Sequence, residues 1–209
     1  MSSKNDAIAG NFNKIKNSVS STIASEKDKY ALIIDKYLDE AFNESIRQVE
    51  RELAVQANSI LNTNKDASVR RVLKDNATTI TFELFDAIEK EITLMLTDIE
   101  LNGIPITNKE LKAEIKRIFE AKQARLASQV MTETTRASNV ALEWGYKESG
   151  VTTHKQWVAV LDNKTTSVCR QGNGEIREIG EPFSTGDYTA PFHINCRSRI
   201  VGITLSEVQ

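Results

Sequence analysis

The stretches Lys155–Phe183, KQWVAVLDNKTTSVCRQGNGEIREIGEPF, and Thr189–Ile203, TAPFHINCRSRIVGI, decide the fold of this chain. Together they hold both cysteines, two of the three prolines and four of the nine glycines. The long sequence before them is charged and nearly free of proline. So sharp a change in composition predicts that the last part of the chain is a compact unit of its own.

Within this unit the residue pattern is typical of strands and turns. A glycine pair around Asn173 marks a tight turn, and the flanking residues alternate between apolar and polar. The predicted strands are Lys155–Asp162, Glu175–Ile179 and Arg199–Leu205. The sequence therefore predicts a small β-rich module over residues 151–209. A core this small usually needs a local crosslink or a partner.

Residues 1–150 are predicted to be helical because their apolar residues recur every three or four positions. The segment Asn62–Ser68, NTNKDAS, has turn and N-cap chemistry, so we expect the chain to reverse there into a helical hairpin. The two apolar stripes on either side of it consist of Ile46, Val49, Leu53 and Ile60, and of Ile80, Leu84, Ile88, Ile92, Met95 and Ile99.

A second break between helices falls in the segment Leu101–Glu110, LNGIPITNKE. Gly103 suits the end of a helix, and Pro105 prevents its simple continuation. Thr107 and Glu110 have the spacing of a capping box at the start of the next helix. We expect that helix to run from about Asn108 to Glu148, with Gly150 closing it.

The predicted fold class is thus α+β, with long N-terminal helices over residues 1–150 followed by the β-rich module at 151–209. Two interpretations of the helices remain open at this point. They form a three- or four-helix bundle, or some of the stripes exceed what one protomer covers and are completed by partner subunits.

Composition excludes several classes of protein. The chain has 209 residues and a formal net charge of −2, so there is no overall basic excess of the kind that accompanies nucleic-acid binding. It contains no apolar run of about 18 residues and no signal-peptide pattern at its start. We therefore expect a soluble protein that is made in the cytoplasm and does not enter a membrane.

Cys169, His193 and Cys196 form the one group with clear chemical character. A His-x-x-Cys step on a turn presents two donors to one ion, and Cys169 supplies a third from elsewhere in the module. Asp162 is the candidate fourth ligand, with His154 as a further donor. Three states of these residues stay open: buried free thiols, which the residue types favour, a structural zinc site, and a Cys169–Cys196 disulfide.

A catalytic interpretation has less support. A cysteine nucleophile needs a nearby base and an electropositive setting, for which Arg170, His193 and Arg197 are the candidates. The sequence contains no phosphate-binding glycine loop, no paired-histidine helix and no nucleophile elbow. We therefore predict that the protein is not an enzyme.

One polar face of the third helix is the other candidate site. Glu133 and Arg136 are three residues apart and can pair on the helix surface. The alternative is that Thr132, Glu133, Arg136 and Asn139 together form a polar joint that fixes the helix against the β-rich module.

These residues occur in an order that resembles a known family. The helix pattern Thr132, Glu133, Arg136, Ala137 and Asn139 is followed by a glycine and then by a series of residues in the module. In order, the latter are Trp157, Asp162, Thr165, Cys169, Gly174, Pro191, His193, Cys196 and Arg197. From about Ala121 to Ile203 the chain resembles the phage Mu F-like head-morphogenesis family, the minor head proteins of tailed bacteriophages.

The resemblance implies a structural role in head morphogenesis or DNA delivery. It implies several copies per particle, located in the virion near the portal vertex, with the portal protein or the major capsid protein as partners. Contact with packaged DNA is not favoured by the charge. The alternatives from other classes are a phage-carried zinc-dependent nuclease or hydrolase, and a toxin module derived from a prophage.

Overall fold

A computed structural model describes the backbone of residues 2–53 and 66–204, and the side chains of residues 12–53 and 67–204. Three long helices come first and a small sheet follows, which confirms the predicted α+β class. The elements in order are α1 Ser2–Leu53, α2 Asp66–Leu101, α3 Asn108–Ser149, β1 Thr152–Val158, α4 Ser167–Gly172, β2 Ile176–Glu178 and β3 Arg199–Thr204.

The boundaries of α3 follow from local chemistry. The Thr107 N–H donates to the Glu110 carboxylate at 2.8 Å, and the Glu110 N–H donates to Thr107 Oγ1 at 3.3 Å. These two bonds are the predicted capping box, and they satisfy backbone donors that a helix start leaves unpaired. Gly103 and Gly150 have φ values of 58° and 68°, the left-handed conformation expected where α2 and α3 end.

The chain divides into two compact units, each of which is described by itself. The first combines Met1–Ile33 with Ala77–Ala127, and the second combines Ile34–Asn76 with Ser128–Gln209. The predicted division at residue 150 stays a prediction.

Most of the predicted turn Asn62–Ser68, together with Ile60 and Leu205, lies outside the described residues. No helix in the described ranges combines the length and apolar character that a membrane span requires.

The first unit buries the apolar stripe of α2. This finding corrects the hypothesis that the stripe exceeds what one protomer can cover, because residues of α1 and α3 pack over it. The buried cluster consists of Ile23 from α1, Leu84, Phe85, Ile88, Ile92, Leu96 and Ile99 from α2, and Leu111 and Ile118 from α3. Ion pairs such as Lys16–Glu100 and Lys122–Glu91, at 3.2 and 2.7 Å, flank this core.

In the second unit, α1 and α3 approach closely. Gly145 permits the approach, since a Cβ on that residue would lie 3.0 Å from a methyl group of Val49. The Tyr146 hydroxyl donates to Glu52 at 2.6 Å, and the rings of Phe42 and Trp144 lie 6.2 Å apart. These contacts hold the C-terminal end of α3, from which the sheet begins.

The sheet has three antiparallel strands in the order β2-β1-β3. Gln156 pairs with Ile176 on one side and with Val201 on the other. The first strand starts earlier and ends sooner than the predicted Lys155–Asp162, because the Ala159 N–H bonds to the side chain of Asn173 at 2.8 Å and leaves the ladder. The helix α4 was not predicted from the sequence.

Candidate metal centre

The short helix α4 carries Cys169. Thr166 caps its start, since the Thr166 Oγ1 accepts a hydrogen bond from the Cys169 N–H at 3.4 Å. At its other end Gly172 lies against the ring of Trp157, and a Cβ on residue 172 would be 2.1 Å from the nearest ring carbon. Only glycine fits at this contact, so the packing of Trp157 fixes the position of Cys169.

His193 and Cys196 belong to a turn that α3 holds in place. The Cys196 N–H donates to the His193 carbonyl at 3.2 Å. Between them Asn195 has a φ of 55°, a conformation that asparagine adopts more readily than most residues. The Asn195 N–H donates to Thr132 Oγ1 at 2.9 Å, and the Thr135 hydroxyl donates to the Cys196 carbonyl at 2.9 Å.

These elements bring the three predicted ligands together. Cys169 Sγ lies 3.0 Å from His193 Nε2 and 3.8 Å from Cys196 Sγ, and the three donor atoms all lie within 4.8 Å of one another. Both thiols are free and buried, with the cysteines 3% and 2% exposed. Two soft sulfur donors and one imidazole nitrogen are a donor set that suits zinc.

The tautomer of His193 follows from its hydrogen bonds. Its Nδ1 lies 2.8 Å from the Ile194 carbonyl, which can only accept, so Nδ1 carries the proton. The Nε2 lone pair therefore faces Cys169, and in the thiol form the Cys169 S–H donates to it. A backbone carbonyl that fixes one imidazole nitrogen while the other faces the donors is the usual arrangement around a metal-binding histidine.

Asp162 and His154 do not join the group. The Asp162 carboxylate accepts two hydrogen bonds from the Arg197 guanidinium, at 2.7 and 2.8 Å, and one from the Lys164 N–H at 2.9 Å. The arginine, together with the backbone donor, holds the pKa of the Asp162 carboxyl well below its usual range. On β1, His154 Nδ1 lies 2.9 Å from Thr153 Oγ1.

The polar residues of α3 divide into two pairs. Thr132 contacts the turn as described, and Asn139 bonds to the start of β3. The Asn139 Oδ1 accepts from the Ile200 N–H at 2.8 Å, while its Nδ2 donates to the Ser198 carbonyl at 3.2 Å. Glu133 and Arg136 instead pair with each other at 3.0 Å along the helix.

The family model of phage Mu protein F like proteins matches residues 101–201. The chain carries a Mu F-like domain. This family comprises minor head and morphogenesis proteins of phages. The match covers all of α3, the residues Cys169, His193 and Cys196, and the sheet as far as Val201. No curated protein and no solved structure gives a significant match to the chain.

The buried Cys169 thiol differs from an activated cysteine in two respects, although His193 Nε2 lies 3.0 Å from its sulfur. Burial raises the pKa of Cys169, so that the thiol is protonated at neutral pH in the absence of a metal ion. The guanidinium of Arg197, one of the residues considered as an activator, is bound to Asp162. An activated cysteine needs the opposite environment.

Sequence reasoning did not predict three contacts of the domain. Ser198 is 3% exposed and donates a hydrogen bond to Cys169 Sγ at 3.2 Å. Lys155 is fully buried, and its Nζ bonds to Glu143 at 2.7 Å and to the Tyr188 carbonyl at 2.6 Å. The alternation of β1 was a usable signal for the lysine, because it places Lys155 on the same face as Trp157. No sequence signal identified Glu143.

Proposed function

We propose that this chain is a minor head protein of a tailed bacteriophage, located at or near the portal vertex, and that its role is structural. The Mu F-like domain is the observation that carries the proposal. The helices preceding that domain are then the part that contacts the portal or major capsid protein.

The outward face of α2 is the surface we assign to that contact. Leu94 and Leu101 are seven residues apart and therefore share one face of the helix. They are 60% and 79% exposed, whereas Leu84 and Ile88 of the same helix are buried. Exposed apolar side chains that share one face are a candidate contact for a partner subunit.

Particle incorporation tests this proposal. The protein should co-purify with mature particles, and the double variant Leu94→Asp and Leu101→Asp should remain folded but be lost from them. The double variant Glu83→Gln and Lys90→Gln changes two exposed residues of the same helix; it serves as a matched control and should be incorporated normally. If the wild-type chain is absent from particles, it is not a head protein; if the aspartate variant is incorporated normally, the contact lies elsewhere.

We also propose that Cys169, His193 and Cys196 hold a structural zinc ion. The fixed tautomer of His193 and the convergence of three donors support this proposal. The ion would crosslink α4 to the turn at residues 193–196, which supplies the local crosslink that a small module needs. Metal analysis of protein purified without chelators should find about one zinc per chain, and an absence of zinc would contradict the proposal.

A zinc-dependent hydrolase or nuclease is the competing function. A cavity of about 20 Å³ lies beside Cys169 and His193. That volume holds about one water molecule. The small cavity therefore favours a structural ion over a catalytic one.

A further inference from the structure

The two buried thiols lie close enough to react with each other. Cys169 Sγ and Cys196 Sγ are 3.8 Å apart, and both thiols are free. A disulfide has a sulfur–sulfur distance of about 2.05 Å, so the two atoms have to approach by less than about 2 Å. Rotation about the Cα–Cβ bond of each cysteine moves its sulfur over such a distance. The sulfurs can therefore bond without a large movement of α4 or of the turn at residues 193–196.

The contacts of Cys169 make it the sulfur that an oxidant attacks first. His193 Nε2 lies 3.0 Å from Cys169 Sγ and can accept its proton, and the Ser198 hydroxyl donates to the same sulfur at 3.2 Å. Both contacts favour the charged sulfur that reacts with oxidants. Burial of Cys169 opposes that charge, so we expect a slow reaction.

The oxidant has to be small. A cavity of about 20 Å³ adjoins Cys169 and His193, and a space of this volume holds about one water molecule. Hydrogen peroxide has one oxygen atom more than water and is close to that size. It is therefore the oxidant that we assign to this site.

The oxidation balances with one molecule of hydrogen peroxide. Cys169 gives its proton to His193 Nε2, and its sulfur attacks one peroxide oxygen. The O–O bond breaks, and the departing hydroxide takes the proton from His193 and leaves as water. Cys196 Sγ then attacks the sulfenic sulfur of Cys169, the S–O bond breaks, and the second hydroxide leaves as water with the Cys196 proton. The two thiols lose two electrons, and the peroxide is reduced to two water molecules.

The proposed place of this protein in a virion supplies the change of conditions. Thiols stay reduced in a host cytoplasm, and a released particle leaves that environment. We propose that Cys169 and Cys196 are a redox-convertible pair, with free thiols during assembly and a disulfide after release of the particle. This inference rests on the proposed head-protein function. The disulfide joins α4 to the turn at residues 193–196, and it thus gives the small module a crosslink that needs no metal ion.

The first experiment oxidises the purified full chain after treatment with a chelator. One equivalent of hydrogen peroxide should lower the mass of the wild type by about 2 Da, the mass of two hydrogen atoms, and dithiothreitol should restore it. Trypsin digestion without reduction should give one linked species that joins the peptides Thr165–Arg170 and Glu178–Arg197. A gain of oxygen without this linked species would overturn the proposal.

Cys196→Ser is the matched control, because it keeps Cys169 and removes only the second thiol. It should form no intramolecular linked peptide and should gain oxygen at Cys169 instead. Thermal unfolding tests the crosslink itself. The oxidised, metal-free wild type should unfold at a higher temperature than the reduced, metal-free wild type, because the disulfide restricts the unfolded chain. Equal unfolding temperatures would contradict a crosslinking role.

The second experiment separates this inference from the proposed function. Infected cells and released particles are denatured in N-ethylmaleimide, which blocks free thiols, and are digested without reduction. We expect both cysteines to be blocked in the cells and the linked peptide to appear in the particles. If the chain is present in particles with both cysteines blocked, the redox proposal is wrong and the head-protein proposal stands. If the chain is absent from particles, the head-protein proposal is overturned, and the conversion on release is overturned with it.

Discussion

The Nζ of Lys155 lies 2.7 Å from Oε1 of Glu143, and the lysine side chain is completely buried. The ammonium group also bonds to the Tyr188 carbonyl and lies 5.2 Å from the centre of the Phe183 ring. The same Glu143 oxygen accepts the Gly180 N–H at 3.0 Å. This ion pair therefore ties three parts of the second unit together: α3, β1 and the loop that follows β2.

Breaking this pair should destabilise the protein strongly. Lys155→Met leaves Glu143 as a mostly buried carboxylate without its cation, and we expect a loss of about 3–5 kcal/mol in the free energy of unfolding. The double variant Lys155→Met and Glu143→Leu should recover much of that loss, since it removes both charges. Urea unfolding followed by circular dichroism measures both, with the exposed Lys147→Met as control. Equal losses in the single and double variants would contradict the ion-pair explanation.

Asn139 should matter more for β3 than for α3. The side chain is 2% exposed and satisfies two buried backbone groups, the Ile200 N–H and the Ser198 carbonyl. In Asn139→Ala both groups lose their partner, at about 1–3 kcal/mol for each buried group. Hydrogen exchange should accelerate at the Ile200 amide while the amides of α3 near Leu111 keep their protection. Uniform acceleration along the chain would instead indicate a global loss of stability.

The parts of the fold that depend on residues close together along the chain could be predicted from the sequence. The capping box of Thr107 and Glu110 and the end of α3 at Gly150 are determined within a few residues, and the structure confirms both. The convergence of Cys169 with His193 and Cys196 was also predictable, because their spacing is typical of ligands in a small module.

The remaining features depend on tertiary contacts that the sequence does not display. The strand β1 ends at Val158 because an asparagine fifteen positions later takes the next backbone donor. The helix α4 is short and fixed by the contact between Gly172 and Trp157, so periodicity cannot reveal it. Glu143 became recognisable only once the fold placed it beside Lys155.

Replacing Gly172 should disturb the module through Trp157. In Gly172→Ala the added Cβ would overlap the indole ring, and neither α4 nor β1 can move freely, so we expect destabilisation of about 1–3 kcal/mol or more. The near-ultraviolet circular dichroism of Trp157 should change as well. Gln171→Ala, one residue earlier on the exposed side of α4, is the matched control. An unchanged tryptophan signal in Gly172→Ala would show that the ring is not tightly packed.

The carboxylate of Asp162 should make the stability of the folded protein depend on pH in the acidic range. Its pKa is lowered in the folded state, first by the hydrogen bonds from Arg197. A lowered folded-state pKa stabilises the fold above the unfolded value of about 3.9. That contribution is lost as the pH falls through the folded-state pKa.

The test compares the pH dependence of wild type and Asp162→Asn. Wild type should lose more stability than the variant as the pH falls below about 4, and the difference should shrink at high salt because the pair is partly exposed. Asp187→Asn, another exposed substitution in the module, should follow the wild-type curve. If Asp162→Asn also follows the wild-type curve, the ion pair with Arg197 does not contribute to the stability of the fold.

The two faces of α2 should respond oppositely to the same substitution. Leu84 and Ile88 are 7% and 3% exposed within the core of the first unit, so Leu84→Asp or Ile88→Asp buries an unpaired carboxylate. We expect each substitution to lower the free energy of unfolding by more than about 4 kcal/mol, a loss that would unfold many natural domains. Leu94→Asp, on the same helix but 60% exposed, should change stability by no more than about 0.5 kcal/mol. Thermal unfolding of the isolated chain gives this comparison directly. A folded, stable Leu84→Asp protein would mean that the stripe is not part of the core. The stripe would then be a surface that a partner could cover.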